Sequence, residues 1–345
     1  MVVLLSGQIK NIGDFLITDR ARRLFEKYVD DEIVILDRTK KLDPHLELIN
    51  SSRLLVLCGG PAYTEDIYQG IYPLVDDLSK IKVPIIPFGL GWCGRPAGRP
   101  MEFRFDAKAR DFLTKVHSQI GNSSCRCDIT KAVLANNGFM NVTMTGCPVW
   151  FDLPSIGKEF KEKRSIDHIV FTTAADPKLI GQTWRLIKML KRQFPGARVT
   201  MSYHRGVLPD KHTTIRATTG YLLMYLGGKA LNSRIRLKDV SYDLERLDFY
   251  DDCDLHIGYR VHAHLYFLSK RLPSILINED GRGEGMVETM DLPVFNIGDP
   301  DLVASVEKQL NAYRESNFRS FKKIGRYLDR HFEVMKAFLQ GLKQA

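Results

Sequence analysis

The segment Arg260-Val261-His262 has the residue types best suited to chemistry in this chain. It follows an apolar stretch and begins a run typical of a helix. The start of a helix attracts anions, because its first amide N–H groups are free and the helix dipole is positive there. A histidine at that position can give or take a proton near neutral pH. Arg260 and His262 therefore predict an anion site with proton-transfer chemistry, the alternative being a structural histidine.

A second segment, Asn11-Ile12-Gly13-Asp14, follows the first apolar stretch of the chain. Gly13 would let the backbone approach a ligand closely. Asp14 is a candidate base or hydroxyl-orienting group. The alternative is that Asp14 only favours the first helical turn electrostatically. The segment does not match the glycine pattern of dinucleotide-binding folds, so it argues against a nicotinamide cofactor.

Two further arginines precede or begin candidate helices. Arg126 follows Ser124 and stands just before a helix predicted at 128–138, and Arg282 lies in a glycine-rich stretch. A guanidinium group binds phosphate or carboxylate through two parallel hydrogen bonds, so both arginines are candidate ligands for an anionic substrate. Pairing with a neighbouring acid is the alternative for each. Gly59 and Gly60 follow a strand and either line the same cleft or only form a tight turn.

Composition limits the class of protein. The chain has 345 residues, a net charge of +9 and 44% hydrophobic residues, which suits two domains. No apolar run reaches the roughly 18 residues of a membrane span, and the N-terminus lacks the basic region of a signal peptide. We therefore expect a cytoplasmic protein. The six cysteines form no CxxC pair, so no metal site is predicted, and the dispersed basic residues match no nucleic-acid-binding motif.

Apolar strands alternate with helices in both halves of the chain. Strands are predicted at 2–6, 33–36, 53–57, 83–88 and 142–149, and again at 168–173, 198–203, 254–259, 274–278 and 294–297. Near-continuous Val, Ile and Leu strands of this kind belong to parallel sheets that are buried on both faces. Ligands bind at the carboxyl edge of such sheets. The pattern predicts an α/β protein with two Rossmann-like domains whose parallel sheets face a cleft, a GT-B-like arrangement.

The predicted boundaries follow from the polar, Lys- and Glu-rich stretch at 154–167, which we interpret as a linker. It separates an N-terminal domain, 1–153, from a C-terminal domain, 168–299. A helical region follows at 300–345. Its apolar residues recur at three- and four-residue steps, which is typical of core packing, with a membrane-surface or dimer face as the alternative.

These motifs, in this order, resemble the polysaccharide pyruvyl transferase family over roughly residues 7 to 293. The matching positions are Asn11, Gly13 and Asp14; Gly59 and Gly60; Ser124 and Arg126; Arg260 and His262; Pro273; and Arg282. The acid of the Ser-x-Arg-Asp segment is displaced to Asp128. The third glycine of the family's turn is missing, and Arg282 replaces the usual lysine.

The resemblance implies transfer of a pyruvyl group from phosphoenolpyruvate to two hydroxyls of a sugar, forming a ketal. Arg126, Arg260 and Arg282 would bind the donor, His262 would protonate its methylene carbon, and Asp14 would act on the acceptor. Asn11, Gly13, Gly59, Gly60 and Ser124 would complete the substrate site. No cofactor or metal is expected. The acceptor is a sugar or a lipid-linked glycan, and the lipid-linked form would place the protein at the inner face of the membrane. The resemblance is also compatible with a homo-oligomer.

Two other functions fit the same pattern. A GT-B glycosyltransferase that uses a nucleotide sugar would also place charged groups after its late strands. A non-catalytic protein that binds anions or glycans could keep the fold without turnover. The products formed from each donor distinguish the three, because a fold alone does not fix a function.

Overall fold

The computed structural model of this chain describes residues 1–94, 99–160, 162–208, 210–212, 215–231 and 235–344. Residue 161 of the predicted linker lies outside the described residues. In the described part of the chain, no helix has both the length and the apolar character needed to cross a membrane.

The first half of the chain builds a four-stranded parallel sheet with the order β2-β1-β3-β5. Its strands and helices are β1 (Val2–Ser6), α1 (Ile12–Tyr28), β2 (Ile33–Asp37), α2 (Leu46–Asn50), β3 (Leu54–Cys58), β4 (Pro61–Tyr63), β5 (Ile85–Phe88), β6 (Gly91–Trp92), α3 (Ala107–Ser118), β7 (Ser123–Cys125), α4 (Asp128–Asn136) and β8 (Val142–Met144). Two short parallel pairs, β4 with β6 and β7 with β8, lie outside this sheet. Every residue of β1 and β3 is buried, as expected of strands covered on both faces.

The second half builds a five-stranded parallel sheet with the order β11-β10-β9-β12-β13. Its elements are β9 (His168–Thr172), α5 (Ile180–Gln193), β10 (Arg198–Tyr203), α6 (Ile215–Leu231), β11 (Ile235–Asp239), β12 (Leu255–Gly258), α7 (Val261–Ser269), β13 (Ser274–Leu276) and α8 (Gly281–Thr289). Helices α9 (Leu302–Glu315) and α10 (Lys322–Gln344) follow. The predicted fold class, two Rossmann-like parallel sheets, is confirmed.

Three local predictions were wrong or incomplete. Residues 294–297 form no strand; a single bridge joins Asn278 to Asn296, and the chain then turns because Asp299 accepts a hydrogen bond from the Asn296 amide at 2.8 Å. The strand predicted at 142–149 ends at Met144, two residues before Gly146, which has a positive φ of 92°. Helix α6 and strand β11 were not predicted, since neither has the fully apolar pattern of a buried element.

The C-terminal helix packs against the N-terminal half. Phe332 of α10 contacts Tyr28 of α1 at a ring distance of 5.8 Å, and Phe338 contacts Phe88 of β5 at 6.2 Å. The apolar stripe of this tail is buried: Phe318, Phe321, Leu328, Phe332, Met335, Leu339 and Leu342. Core packing is therefore the role of this stripe, and it is not available as a membrane face.

The two halves meet near the carboxyl ends of their strands. The Ile12 amide at the start of α1 donates to the His204 carbonyl after β10, at 3.1 Å. Lys10, which is 4% exposed, forms an ion pair with Asp210 at 2.6 Å. These contacts hold the first turn of α1 against the end of β10, so the ligand-binding edges of both sheets face each other.

Candidate active site

A cavity of about 210 Å³ lies between the carboxyl edges of the two sheets. Residues from both halves of the chain line it: Asn11, Asp14, Arg38, Pro61, Arg126, His204, Arg205, Tyr259, Arg260, Val261, His262, Glu279 and Arg282. Six of the predicted site residues are among them, although they are far apart in sequence. A larger cavity of about 720 Å³, at 163–167, 193–197 and 311–318, contains none of the predicted residues.

Arg260 lies at the N-terminal cap of α7, directly after β12. Its amide donates to the Thr172 hydroxyl at 3.2 Å, and its Nη2 donates to the Ala174 carbonyl at 3.2 Å. Its Nε is buried without a hydrogen-bond partner in the described part of the chain. Backbone contacts thus fix the side chain, while part of its donor capacity stays unused beside the cavity.

His262 is in the first turn of α7 and contacts the first turn of α1. A Cβ atom added to Gly13 would lie 2.4 Å from the His262 Nδ1, so only glycine at position 13 leaves room for the ring. Burial lowers the pKa of His262 to about 3, and the positive charges of Arg126 and Arg282 act in the same direction. The imidazole is therefore neutral at neutral pH.

Asp14 and Asn11 form the opposite wall of the cavity, at the start of α1. Asn11 Nδ2 donates to Asp14 Oδ2 at 3.1 Å, which orients the carboxylate. Burial raises the pKa of Asp14 above its usual value, although Asn11 and three neighbouring arginines act in the opposite direction. A carboxylate that is oriented and more basic than usual suits a base or a hydroxyl-orienting group.

Arg126 is the most buried cation of the site, with 2% of its surface exposed. Its Nη2 donates to the Trp92 carbonyl at 3.3 Å, and its Nε is buried without a hydrogen-bond partner. A Cβ on Gly91 would lie 1.9 Å from that Nε, so a glycine is needed here for the guanidinium to reach the cavity. The alternative of an ion pair with Asp128 is not what the structure contains.

Arg282 does have an acidic partner. Its Nε donates to Asp280 Oδ2 at 2.7 Å, its Nη2 bonds to the same oxygen, and its amide donates to Asp280 Oδ1 at 3.0 Å. Asp280 caps α8 through that last bond. The neighbouring Glu279 faces the cavity and accepts from the Ala175 amide at 2.7 Å. Arg282 therefore lines the cavity, as expected of a ligand for an anionic substrate, and also forms the ion pair with a neighbouring acid that was the alternative.

Three predicted site residues lie behind the cavity wall. Ser124 is fully buried in β7, where its hydroxyl accepts from the Gly89 amide at 3.0 Å. Gly59 and Gly60 have positive φ angles of 58° and 80°. A Cβ on Gly59 would clash with Ile17, and one on Gly60 would lie 3.1 Å from Arg38. These residues support the site instead of lining its cavity.

The sequence reasoning missed several cavity residues. Arg38 follows the end of β2, and its guanidinium lies 5.7 Å from the Tyr72 ring. His204 and Arg205 follow β10 in the same way, and His204 Nε2 is 2.9 Å from the Tyr250 hydroxyl. Their position directly after strand ends was the available signal, because those ends meet at one edge of a parallel sheet.

The charge of the cavity lining is strongly positive. Five arginines, namely Arg38, Arg126, Arg205, Arg260 and Arg282, line it, against only two carboxylates, Asp14 and Glu279. Over the residues that the structure describes, no group of three or more His, Cys, Asp or Glu side chains could hold a metal ion. The chemistry that this lining favours is the binding of a small molecule with more than one negative charge.

The polysaccharide pyruvyl transferase family model matches residues 11–281. The chain belongs to that family. The match covers most of the chain and contains nearly all of the cavity lining, from Asn11 to Glu279; Arg282 lies just beyond its end. No curated protein sequence matches the chain.

Solved structures share the fold of this family member at low sequence identity. An S. aureus MnaA–UDP complex is 10% identical, with a TM-score of 0.57 over 98% of this chain and 96% of that one. A Neisseria meningitidis UDP-GlcNAc 2-epimerase bound to UDP-GlcNAc is 11% identical, with a TM-score of 0.53 over 99% and 100%. The Methanocaldococcus jannaschii UDP-GlcNAc 2-epimerase, in complex with UDP-GlcNAc and UDP, is 13% identical, with a TM-score of 0.52 over 95% and 98%. The fold is therefore GT-B-like, as predicted.

Proposed function

We propose that this transferase moves the pyruvyl group of phosphoenolpyruvate onto two hydroxyls of a sugar, forming a ketal and releasing phosphate. The observation that carries the proposal is the pair Arg126 and Arg260. Both face the cavity with a buried Nε that has no partner in the described residues, and no described carboxylate forms an ion pair with either. Arg126 is buried and Arg260 half-buried, and a cation withdrawn from water without an opposite charge is costly unless a ligand supplies that charge.

Phosphoenolpyruvate fits this lining because it carries a phosphate and a carboxylate on one small carbon frame. Arg126 and Arg260 each have an Nε without a hydrogen-bond partner in the described residues, so their guanidinium groups can bind these groups. Arg282 is already bonded to Asp280 and contributes positive charge beside them. The cavity, at about 210 Å³, is smaller than the 300–1,000 Å³ typical of pockets for drug-sized ligands. That size favours a compact donor over a nucleotide sugar such as the UDP-GlcNAc bound by the two epimerases of similar fold.

Proton transfer is assigned to His262 and Asp14. Burial is the main cause of the low pKa of His262, and the charges of Arg126 and Arg282 add to it. A donor whose negative charge lies between these arginines offsets their repulsion and attracts a proton, so it raises this pKa and favours the protonated imidazole. His262 then protonates the methylene carbon, and positive character develops at C2. A sugar hydroxyl attacks C2 while Asp14 accepts its proton.

The second half of the reaction closes the ketal. The bond between C2 and the phosphate oxygen breaks, and phosphate leaves with the proton held by Asp14. The second sugar hydroxyl attacks C2 and returns a proton to His262. The two halves of the chain supply the positioning, since Asp14 belongs to the first and His262 to the second.

A donor screen tests the proposal. The protein is incubated with phosphoenolpyruvate and a panel of glycosides, phosphate release is followed, and mass spectrometry detects the pyruvyl ketal. Release of a nucleoside diphosphate from a sugar nucleotide, with no reaction of phosphoenolpyruvate, would establish a glycosyltransferase instead. Tight donor binding without turnover on any glycoside would favour the non-catalytic alternative.

Matched variants link the activity to the site. His262→Gln removes the proton donor and is expected to abolish turnover. His117→Gln is the control, because His117 is a buried histidine that lies outside the cavity, with its Nδ1 2.8 Å from Asn141 Oδ1. Arg260→Lys loses the two-pronged contact and is expected to weaken donor binding. Equal activity of the two histidine variants would refute the role of His262.

A further inference from the structure

Helix α6 presents an apolar face to solvent. Ile215, Leu222, Leu223 and Leu226 are 80%, 41%, 59% and 53% exposed, and Leu208, seven residues before the helix begins, is 70% exposed. The four helical positions are spaced so that they share one side of the helix. These five residues form what we call the leucine patch. Nine large hydrophobic side chains are exposed in the described residues, and five of them belong to this patch.

The opposite side of α6 is firmly attached. Tyr221 is 3% exposed, and its hydroxyl donates to the Ala175 carbonyl at 2.8 Å. Met224 is buried, and a Cβ on Gly220 would lie 2.3 Å from Pro177, so the helix packs closely on that segment. The leucine patch is thus a surface that the fold holds outward. Exposed apolar patches of this kind mark interaction sites in soluble proteins.

The charge around the patch indicates which partner it fits. Between positions 211 and 238, which hold the helical part of the patch, the sequence contains six Lys or Arg residues and no Asp or Glu. Asp210, just before this segment, is paired with Lys10. An apolar helix face within a basic segment is complementary to the surface of an anionic membrane. At 17 residues, α6 is shorter than the roughly 20 residues of a membrane-spanning helix, so it would lie along the surface.

The helix that carries the patch is linked to the candidate active site through its opposite, buried side. Tyr221 bonds to the Ala175 carbonyl, while the Ala175 amide donates to Glu279, which lines the cavity. On the other side of the patch, Asp210 pairs with Lys10, the residue before Asn11. A surface that engages the patch would therefore be separated by α6 from residues that contact the cavity lining.

We propose that the leucine patch docks this protein on an anionic membrane surface and holds the cavity next to the bilayer interface. Docking rests on the patch and its charge alone. The acceptor class that it favours, a sugar carried on a lipid, rests in addition on the proposed function. The two claims fail separately: vesicle binding needs no turnover, and turnover on a water-soluble glycoside needs no vesicle.

The test is sedimentation with vesicles of phosphatidylcholine, with and without phosphatidylglycerol. We expect the wild-type protein to bind the vesicles that contain phosphatidylglycerol, and to bind less as salt increases. The combined replacement Leu222→Gln, Leu223→Gln and Leu226→Gln is expected to weaken binding about tenfold or more, because it removes three of the five exposed apolar side chains of the patch. Met101→Gln with Met140→Gln is the control, since both methionines are exposed elsewhere.

Circular dichroism and a thermal shift with phosphoenolpyruvate check that the variants fold. If the triple replacement does not fold, Leu223→Gln alone, at the most exposed of the three leucines, carries the test. Two results would overturn the proposal. One is vesicle binding by the leucine variants that equals that of the methionine control. The other is a wild-type dimer, seen by light scattering, that the leucine replacements separate while vesicles bind neither form.

Discussion

Gly13 allows a strict test of the contact between the two halves of the site. The Cβ of alanine at position 13 would lie 2.4 Å from His262 Nδ1, and 3.0 and 3.1 Å from Cγ and Cβ of the same residue. Ordinary contacts begin at 3.4 Å, so the whole side chain must retreat by about 1 Å, and rotation of the ring is not enough. A misplacement of about 1 Å can cost roughly 100-fold in rate, so we expect kcat/KM of Gly13→Ala to fall by about that factor.

Gly181 is a matched control. It is the second residue of α5, as Gly13 is the second residue of α1, and an added Cβ there meets nothing within 4 Å. Gly181→Ala should raise the free energy of unfolding by up to about 1 kcal/mol, because alanine is the better helix former. Gly13→Ala has the same favourable effect of alanine on the helix, but the clash with His262 lowers the free energy of unfolding by about 1–3 kcal/mol. The difference between the two variants therefore isolates the clash with His262.

The measurements are urea unfolding and phosphate release from phosphoenolpyruvate with the acceptor found in the donor screen. We expect Gly181→Ala to keep wild-type activity. If Gly13→Ala has kcat/KM within a few-fold of Gly181→Ala, then His262 either moves freely or takes no part in the reaction. Either outcome would refute the reasoning that places His262 at the reacting carbon.

Three further predictions concern charge. Arg126→Met removes a buried cation that forms no ion pair with a described carboxylate. Urea unfolding should therefore show an unchanged or higher free energy of unfolding, while calorimetry should show a Kd for phosphoenolpyruvate at least about tenfold higher. A large loss of stability would mean that Arg126 is structural. Arg20→Met leaves Asp152 buried without its main partner and should lower the free energy of unfolding by about 3 kcal/mol, whereas a loss near zero would show that the pair contributes nothing. Donor binding should take up a proton at His262, because a bound anion raises a pKa that is about 3 without it. Affinity should then fall as pH rises, calorimetry in buffers of different ionisation enthalpy measures the uptake, and equal uptake by His262→Gln would contradict the assignment.

The sequence determined the strand-to-helix alternation and the ends at which ligands bind. These features are local: the first four residues of Val2–Ser6 are apolar, and Arg260 and His262 follow a later buried strand, Leu255–Gly258, at a helix start. Because the carboxyl ends of parallel strands meet at one edge, residues distant in sequence could be assigned to one cleft. Six of the predicted site residues do line one cavity.

Only the tertiary structure decided which of the candidate residues reach that cavity, and which of them are buried, paired or shifted in pKa there. The buried Ser124 hydroxyl accepts a hydrogen bond from the Gly89 amide, whereas Arg38, which belongs to no recognised motif, lines the cavity together with Asp14. The pKa of His262 depends on burial and on two guanidinium groups that belong to other parts of the chain. Burial, pairing and charge all depend on contacts between residues far apart in sequence, so no local pattern could predict them. The same holds for α6, whose leucines could be recognised as exposed only once their neighbours were in place.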